Sequence, residues 1–318
     1  MGEFIDAALD DAFPDRTVAE TGETGPSWNE TNETVEVQFA DGETVFCKVA
    51  VDGDGSRIAR ERAVISFLGA RSEVRVPDVV AADPDAAVPS LVTSPLTGRN
   101  LAFAWADTTP DERERLARTV GETLADLHAV PVGGHGHVVG GDADGLDLET
   151  APWPDVLLDR IELMRDLAIT ERFDHHFDEV AAAVAANRDL LDGAPAALLH
   201  GDPAQPNVVR DEGDLGLLDW EIAYVGDPAR ELVRARSQQF DHPRADASDR
   251  ILDAFHDGYR ERAGGLPDGF ERRRPVYEAV NLLTVSGFFE NWVEHTDGSE
   301  EELSDRLEDE LEKRLAAI

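Results

Sequence analysis

The chain has few residues of several kinds, and each shortage excludes a class of protein. One cysteine, Cys47, occurs among 318 residues, so the chain forms no internal disulfide, and no Cys/His cluster points to zinc. No stretch approaches the ~18 consecutive apolar residues that a membrane-spanning helix needs. The first residues carry acids where a signal peptide would carry bases. We therefore expect a soluble, cytoplasmic protein.

Positive charge is the other shortage. The chain has 29 Lys and Arg residues against 67 Asp and Glu, a net charge of −38, and its lysines are Lys48 and Lys313. Such a surface repels nucleic-acid phosphates and anionic membranes, so we expect neither as a partner. Many acids with few lysines are typical of proteins from extreme halophiles, in which concentrated salt screens the repulsion. An acidic surface that binds a cationic partner is the alternative.

Residues 198–232 read LLHGDPAQPNVVRDEGDLGLLDWEIAYVGDPAREL and hold polar groups after two short apolar runs. Asp202 ends a His-Gly-Asp triplet, Asn207 follows five residues later, and Asp219 follows the second apolar run. Phosphoryl transfer needs a group that orients the attacking hydroxyl and oxygen ligands that bind Mg²⁺. Protein kinases place an Asp and an Asn at this spacing, with a metal-binding Asp further on. The segment therefore predicts a phosphotransferase.

These motifs resemble the aminoglycoside phosphotransferase and choline kinase-like family, whose hallmarks are HGD-x4-N, an aliphatic-Asp-Trp segment and GDP-x-x-D/E-L. The resemblance implies an ATP-dependent small-molecule kinase with an alcohol group as acceptor and with ATP and Mg²⁺ as cofactors. Asp202 would orient and deprotonate the hydroxyl, and Asn207 with Asp219 would bind Mg²⁺. Asp227, in the third motif, is expected to accept hydrogen bonds from the catalytic loop.

The N-terminal part contains a lysine in a suitable place. Alternating apolar residues at 35–39 and 44–51, around an Asp-Gly turn, predict a β-hairpin. Lys48 lies within the second strand on a face with apolar neighbours. The resemblance implies that Lys48 holds the phosphates of ATP. The alternative is an edge lysine that extends its ammonium group to solvent.

Two further elements complete the predicted nucleotide site. Residues 56–68 have helical apolar periodicity, and Glu61 within them is expected to pair with Lys48; an exposed acid is the alternative. The loop 21–32 contains Gly25 and Ser27, which by the resemblance would cover the phosphates. Without a GxGxxG motif, this loop is also consistent with a simple turn.

The resemblance implies an α+β, bilobal protein kinase-like fold. Residues 1–95 would form the N-lobe, a small antiparallel sheet with one helix, in which 76–82 and 89–93 are further strands. A hinge at 94–98 would bind adenine through its backbone. Residues 96–318 would form a larger, mainly helical C-lobe, with the glycine-rich stretch 133–145 as a surface loop. Helices are predicted at 5–13, 111–128, 155–168, 173–191, 248–262, 270–295 and 300–318.

The acceptor stays open at this stage. The family phosphorylates hydroxyls of aminoglycosides, choline, sugars and amino alcohols, and the fold does not decide between them. Glu290, Trp292 and Glu294 are candidates for lining the acceptor pocket, with core packing as the alternative. His128 and His200 are expected to brace the catalytic loop rather than react.

Two other functions remain open beside the small-molecule kinase. One is a non-catalytic nucleotide-binding pseudokinase or interaction module, although the expected chemical groups are all present. The other is a protein kinase, against which the HGD and Asp-Trp-Glu motifs argue.

Overall fold

The computed structural model describes residues 2–24, 31–240, 247–293 and 296–318. Its strands are β1 (Val18–Thr24), β2 (Asn32–Phe39), β3 (Thr44–Ala50), β4 (Val79–Asp83), β5 (Ser90–Thr93), β6 (Arg99–Asn100), β7 (Gly136–Asp142), β8 (Gly145–Thr150), β9 (Ala197–Leu199), β10 (Val208–Asp211), β11 (Asp214–Leu217) and β12 (Tyr224–Gly226). Its helices are α1 (Gly2–Ala12), α2 (Ser56–Arg71), α3 (Leu101–Ala106), α4 (Pro110–His128), α5 (Trp153–Asp166), α6 (Asp174–Ala186), α7 (Arg188–Leu191), α8 (Pro228–Gln239), α9 (Asp249–Ala263), α10 (Phe270–Gly287), α11 (Phe289–Val293) and α12 (Glu300–Ala316). None of these described helices has the length and apolar character needed to cross a bilayer.

The chain forms two compact units, each built from separate stretches of sequence. Unit 1 comprises Met1–Asp107, Val138–Glu149 and Pro206–Ala223, and unit 2 comprises the remaining stretches, Thr108–His137, Thr150–Gln205 and Tyr224–Ile318. Strand β10 returns to unit 1 because it pairs with β6 as well as with β11. The units therefore differ from the contiguous division at residue 95, which stays a prediction about the lobes.

Unit 1 is organised on an antiparallel sheet of order β1-β2-β3-β5-β4. The predicted hairpin is β2 and β3, and the face that carries Val45, Cys47 and Val49 is fully buried against α1. Strand β1 pairs with β2 but was not predicted, because its sequence VAETGET has no apolar alternation. On the opposite face of β3, Lys48 is directed away from this core.

Unit 2 is mainly helical, and α4 packs closely against α9. Glycines allow this close approach. A Cβ on Gly121 would lie 2.1 Å from the carbonyl oxygen of Phe255, and one on Gly258 would lie 2.1 Å from that of Arg118. Because no side chain fits there, the backbones of the two helices come into direct contact.

The glycine-rich stretch 133–145 is not the predicted loop. It contains all of β7, and the hairpin continues into β8. Gly141 has φ of +129°, and a Cβ there would lie 2.4 Å from the carbonyl oxygen of Gly145, so a residue without a side chain permits the hairpin. Two predicted helices are also interrupted: the one at 173–191 at Asn187, and the one at 270–295 after Gly287.

A buried carboxylate joins two helices of unit 2. Asp227 accepts a hydrogen bond from the backbone N–H of Ala229 at 2.9 Å and so caps α8. It also accepts from Nε of Arg273 at 2.5 Å and from the hydroxyl of Tyr277 at 2.6 Å, both on α10. Asp227 is fully buried. These partners lie on helices, so the expectation that Asp227 binds the catalytic loop is wrong.

Removing this carboxylate is expected to destabilise unit 2. Asp227→Ala leaves Arg273 buried without a counter-charge, which costs about 3 kcal/mol of the free energy of unfolding. Denaturant titration followed by far-UV circular dichroism measures this loss. The matched control is Asp155→Ala, because Asp155 pairs with Arg188 at the surface. Equal losses of unfolding free energy in the two variants would show that the buried pair stabilises unit 2 no more than a surface pair does.

Candidate functional site

One ammonium group and three carboxylates meet in unit 1. The Nζ atom of Lys48 lies 2.7 Å from Glu61, 2.6 Å from Asp219 and 2.7 Å from Glu221. Burial alone would lower the pKa of Lys48, but the three carboxylates raise it well above its usual value. The predicted pairing of Lys48 with Glu61 is therefore present, and two further acids join it.

Glu61 lies on α2 and is almost fully buried. One of its carboxylate oxygens accepts from Lys48, and the other accepts from the backbone N–H of Trp220 at 3.3 Å. Burial raises the pKa of Glu61. The charge of Lys48 lowers this pKa, whereas the neighbouring carboxylates of Asp219 and Glu221 raise it further. Glu61 thus connects β3, through Lys48, to the segment that follows β11.

Asp219 has an unusual backbone conformation. Its φ is +66°, in the left-handed region that residues with a side chain rarely adopt. Such conformations cost free energy and are concentrated at functional sites. The side chain of Asp219 is 41% exposed, against 7% for Glu61 and 10% for Glu221. Asp219 is therefore the member of the cluster most accessible to a ligand.

The β10–β11 hairpin brings Asn207 near the start of this segment. Val208 pairs with Leu217, and the N–H of Leu218 donates to the carbonyl of Asn207 at 2.9 Å. Asn207 and Asp219 therefore lie at the same end of the hairpin. This register gives a structural reason for the sequence distance between the two predicted metal ligands, whose role in binding Mg²⁺ stays a prediction.

Glu221 is a member of the site that the sequence analysis did not identify. Its carboxylate accepts from Nδ2 of Asn32 at 2.6 Å and pairs with Arg57 at 3.0 Å, while its carbonyl accepts from Arg60 at 2.7 Å. Arg57 and Arg60 lie on α2, one turn apart. Two features of the sequence could have identified Glu221. It is the third residue of the Asp-Trp-Glu motif, and Arg57 and Arg60 precede Glu61 on α2.

The oxygen atoms of this cluster are of the kind that bind a divalent cation. Its three carboxylates face the ammonium of Lys48 and the guanidinium groups of Arg57 and Arg60. The ligand atoms of Glu61, Asp219 and Glu221 all lie within 4.8 Å of one another. Carboxylate and amide oxygens are the protein ligands that Mg²⁺ accepts. The oxygen atoms of Asn207 and Asp219, the two predicted ligands, are therefore of the type that Mg²⁺ accepts.

In unit 2, backbone contacts hold the loop that carries Asp202. The carboxylate of Glu231 accepts from the N–H of His200 at 3.1 Å and from that of Gly201 at 2.8 Å. His128 lies 3.0 Å from the same carboxylate. Nδ1 of His200 accepts the N–H of Asp202 at 3.3 Å. The bracing contacts expected of His128 and His200 are thus present, and Glu231 has the role that was expected of Asp227.

The carboxylate of Asp202 also contacts α8. Its Oδ1 atom accepts from Nη2 of Arg234 at 2.9 Å and from the side-chain amide of Gln238. The Asp202 side chain is 31% exposed. Neither α8 residue was identified from sequence, because nothing in the spacing of Arg234 and Gln238 points to the catalytic motif.

Several other candidates have a different outcome. Gly25, Ser27 and Glu294 lie outside the described residues. Glu290 is exposed, whereas Trp292 donates to the carbonyl of Val285 at 3.1 Å and so has a structural contact.

A second group of metal-ligating side chains exists among the described residues, which the sequence analysis did not anticipate. It consists of His175, His176 and Glu308. The ring nitrogens of His176 lie 2.8 Å from the hydroxyl of Ser286 and 2.9 Å from Glu308. Hydrogen bonds account for this group.

Comparisons with known proteins give a matching family profile and similar proteins. A profile described as the phosphotransferase enzyme family matches residues 23–276. The uncharacterized protein YcbJ of Bacillus subtilis is 27% identical over 218 residues, 64% of this chain and 67% of that protein.

Solved structures show the fold. Aminoglycoside phosphotransferase APH(4)-Ia has a TM-score of 0.62 at 15% identity, covering 99% of this chain and 96% of that one. A putative fructosamine-3-kinase from Haemophilus somnus has a TM-score of 0.64 at 16% identity, covering 98% and 97%. One from Thermobifida fusca has a TM-score of 0.60 at 23% identity, covering 89% and 92%. The predicted α+β kinase-like fold is therefore confirmed.

Removing Lys48 is expected to destabilise unit 1. Lys48→Met removes the shared cation and leaves three partly or fully buried acids facing one another, which costs about 3–5 kcal/mol of unfolding free energy. Denaturant titration at neutral pH measures this. Lys313→Met is the control, since Lys313 is an exposed partner of Glu310 on α12. A Lys48→Met variant as stable as the control would contradict the cluster's structural role.

Proposed function

Because the chain belongs to the phosphotransferase enzyme family, we propose that it is an ATP-dependent small-molecule kinase that transfers the γ-phosphate to a hydroxyl group. The observation that carries the proposal is the cluster of unit 1, in which Lys48 contacts Glu61 and Asp219. A lysine held by a helix glutamate beside an aspartate that would bind metal is the arrangement by which protein kinases position the phosphates of ATP.

The residues of unit 1 bind and orient the nucleotide in this proposal. Lys48 donates hydrogen bonds to phosphate oxygens, and Glu61 keeps its ammonium group in position. Asp219 and Asn207 hold Mg²⁺, which when bound neutralises charge on the phosphate oxygens. Gly25 and Ser27 remain proposed contacts to the phosphates.

Asp202 acts on the acceptor. Its carboxylate accepts a hydrogen bond from the acceptor hydroxyl and orients the oxygen towards the γ-phosphorus. As the new P–O bond forms, the bond between the γ-phosphorus and the bridging oxygen breaks, ADP leaves, and the hydroxyl proton passes to Asp202. Glu231 and His200 keep the loop in the required conformation through the contacts described above.

The acceptor in this proposal is an aminoglycoside, an amino alcohol or a sugar-like molecule. Similar solved structures include aminoglycoside phosphotransferases and putative fructosamine-3-kinases, which differ in their acceptors. Their low sequence identity supports the fold alone, so the acceptor has to be identified by experiment. The halophilic origin and the cytoplasmic location stay predictions from composition.

One observation favours a second candidate, a nucleotide-binding protein without transferase activity. Arg234 and Gln238 both occupy Oδ1 of Asp202, the group that would receive the acceptor hydroxyl. A protein of this kind binds ATP without releasing ADP. The two candidates therefore differ in one directly measurable product.

The test is acceptor-dependent ADP release with Mg-ATP in concentrated KCl, across a panel of hydroxyl-bearing metabolites and aminoglycosides. Asp202→Asn should lower kcat by roughly 10²–10⁴-fold, because it removes the proton acceptor and keeps the side-chain shape. Asp189→Asn, at an exposed position of the same unit, should leave turnover unchanged. ATP binding without ADP release for every acceptor would favour the non-catalytic candidate, and full activity of Asp202→Asn would refute the assigned role.

A further inference from the structure

One face of α8 carries a row of polar side chains at four-residue spacing: Arg230, Arg234 and Gln238. Residues spaced in this way lie one above another on a helix. Two of them, Arg234 and Gln238, contact the carboxylate of Asp202. The row therefore begins next to the proposed catalytic group and continues to Arg230, one turn towards the start of α8.

Arg230 is a buried cation whose charge is only partly compensated among the described residues: Glu231 acts on it through space, but no carboxylate is hydrogen-bonded to it. Its residue is 4% exposed, and among the described residues its buried Nε and Nη1 atoms have no hydrogen-bond acceptor. The acids closest in sequence are engaged elsewhere. Asp227 pairs with Arg273, and Glu231 accepts from the catalytic loop.

Burial of this group is costly. It lowers the pKa of Arg230 to about 10, with the neighbouring Arg234 contributing, so the guanidinium still carries its charge at neutral pH. Buried charges in proteins are nearly always paired, because removing an ion from water without compensation costs several kcal/mol. The Nε atom of Arg234 is likewise buried without an acceptor among the described residues. Arg230 and Arg234 therefore have unused N–H donors of the kind that an anionic ligand satisfies.

We propose that Arg230, together with Arg234, binds an anionic group of the acceptor, a carboxylate or a phosphate, whose hydroxyl is then presented to Asp202. This inference rests on the proposed kinase function and narrows its acceptors to anionic, sugar-like molecules, so the cationic aminoglycosides and amino alcohols named above are excluded. Guanidinium groups suit both anions because their N–H donors match two oxygens at once. An anion at this position supplies a hydrogen-bonded counter-charge for Arg230.

The inference separates this chain from a kinase for polycationic acceptors. Two neighbouring guanidinium groups raise the free energy of any ammonium group placed beside them, whereas they attract a carboxylate or phosphate. The net charge of −38 repels anionic acceptors at long range. In concentrated salt this repulsion is screened, because the Debye length falls to about 3 Å at 1 M. The buried guanidinium groups act at contact distance.

A binding experiment without nucleotide tests the inference independently of catalysis. The probes are ribose, ribose 5-phosphate, gluconate and kanamycin, which compare a neutral sugar, a phosphate, a carboxylate and a polycation. Thermal unfolding at one fixed KCl concentration should show a higher Tm with ribose 5-phosphate or gluconate and no change with ribose or kanamycin. Which of the two anions gives the larger shift distinguishes phosphate from carboxylate recognition.

Arg230→Met is the decisive variant, because methionine fills a similar volume without charge. Since it removes an unpaired buried cation, its own Tm should equal or exceed that of the parent chain. The variant should lose the Tm response to the anionic probes. Its KM for anionic acceptors should rise by roughly 10–100-fold, which corresponds to the free energy of one charge-assisted hydrogen bond. Arg260→Met is the control, because Arg260 pairs with Asp257 at the surface of α9.

The outcomes separate this inference from the kinase proposal. If neither ribose 5-phosphate nor gluconate raises Tm in an Arg230-dependent manner, the inference is wrong. If ADP release depends on Asp202 but kanamycin is phosphorylated equally by the parent chain and by Arg230→Met, the kinase proposal stands and the anionic acceptor is refuted. Arg230-dependent stabilisation without ADP release supports the anion site while contradicting the kinase.

Discussion

The ion cluster around Lys48 is the interaction on which unit 1 depends. A single ammonium group contacts Glu61 from α2, and Asp219 and Glu221 from the segment after β11. The lysine itself comes from the central strand β3, so two consecutive elements, β3 and α2, meet a segment far along the chain at one charge. In the proposed function the same charge binds phosphates, and its partners keep it protonated and hold it in position. Stability and the proposed nucleotide binding therefore share one residue.

Sequence reasoning found the groups whose spacing along the chain is itself the signal. Asp202, Asn207 and Asp219 lie in linked motifs, and Lys48 stood out because lysine is nearly absent. Apart from Glu61, the residues that connect distant parts of the chain were not found. Glu221 and Glu231 are ordinary acids in an acidic chain, and their roles depend on N–H groups and arginines brought near them by folding.

The secondary structure could likewise be predicted only in part. The β2–β3 hairpin and the long helices follow from apolar periodicity, which a single sequence displays. Strand β1 and the β7–β8 hairpin have polar or glycine-rich sequences, so pairing partners decide their structure rather than local preference. The composition of unit 1 from three separate stretches depends on such pairings too. Periodicity cannot reveal them.

The central claim is that the Lys48 cluster binds a magnesium–nucleotide complex through Asp219. The most direct measurement is the Kd of ATP, determined calorimetrically with and without Mg²⁺, for Asp219→Asn and for Asp214→Asn. Asp214 is an exposed residue of the same hairpin and serves as the matched control. We predict that Mg²⁺ tightens ATP binding in the parent chain and in Asp214→Asn, and that Asp219→Asn loses this effect. An undiminished Mg²⁺ effect in a folded Asp219→Asn variant would contradict the account.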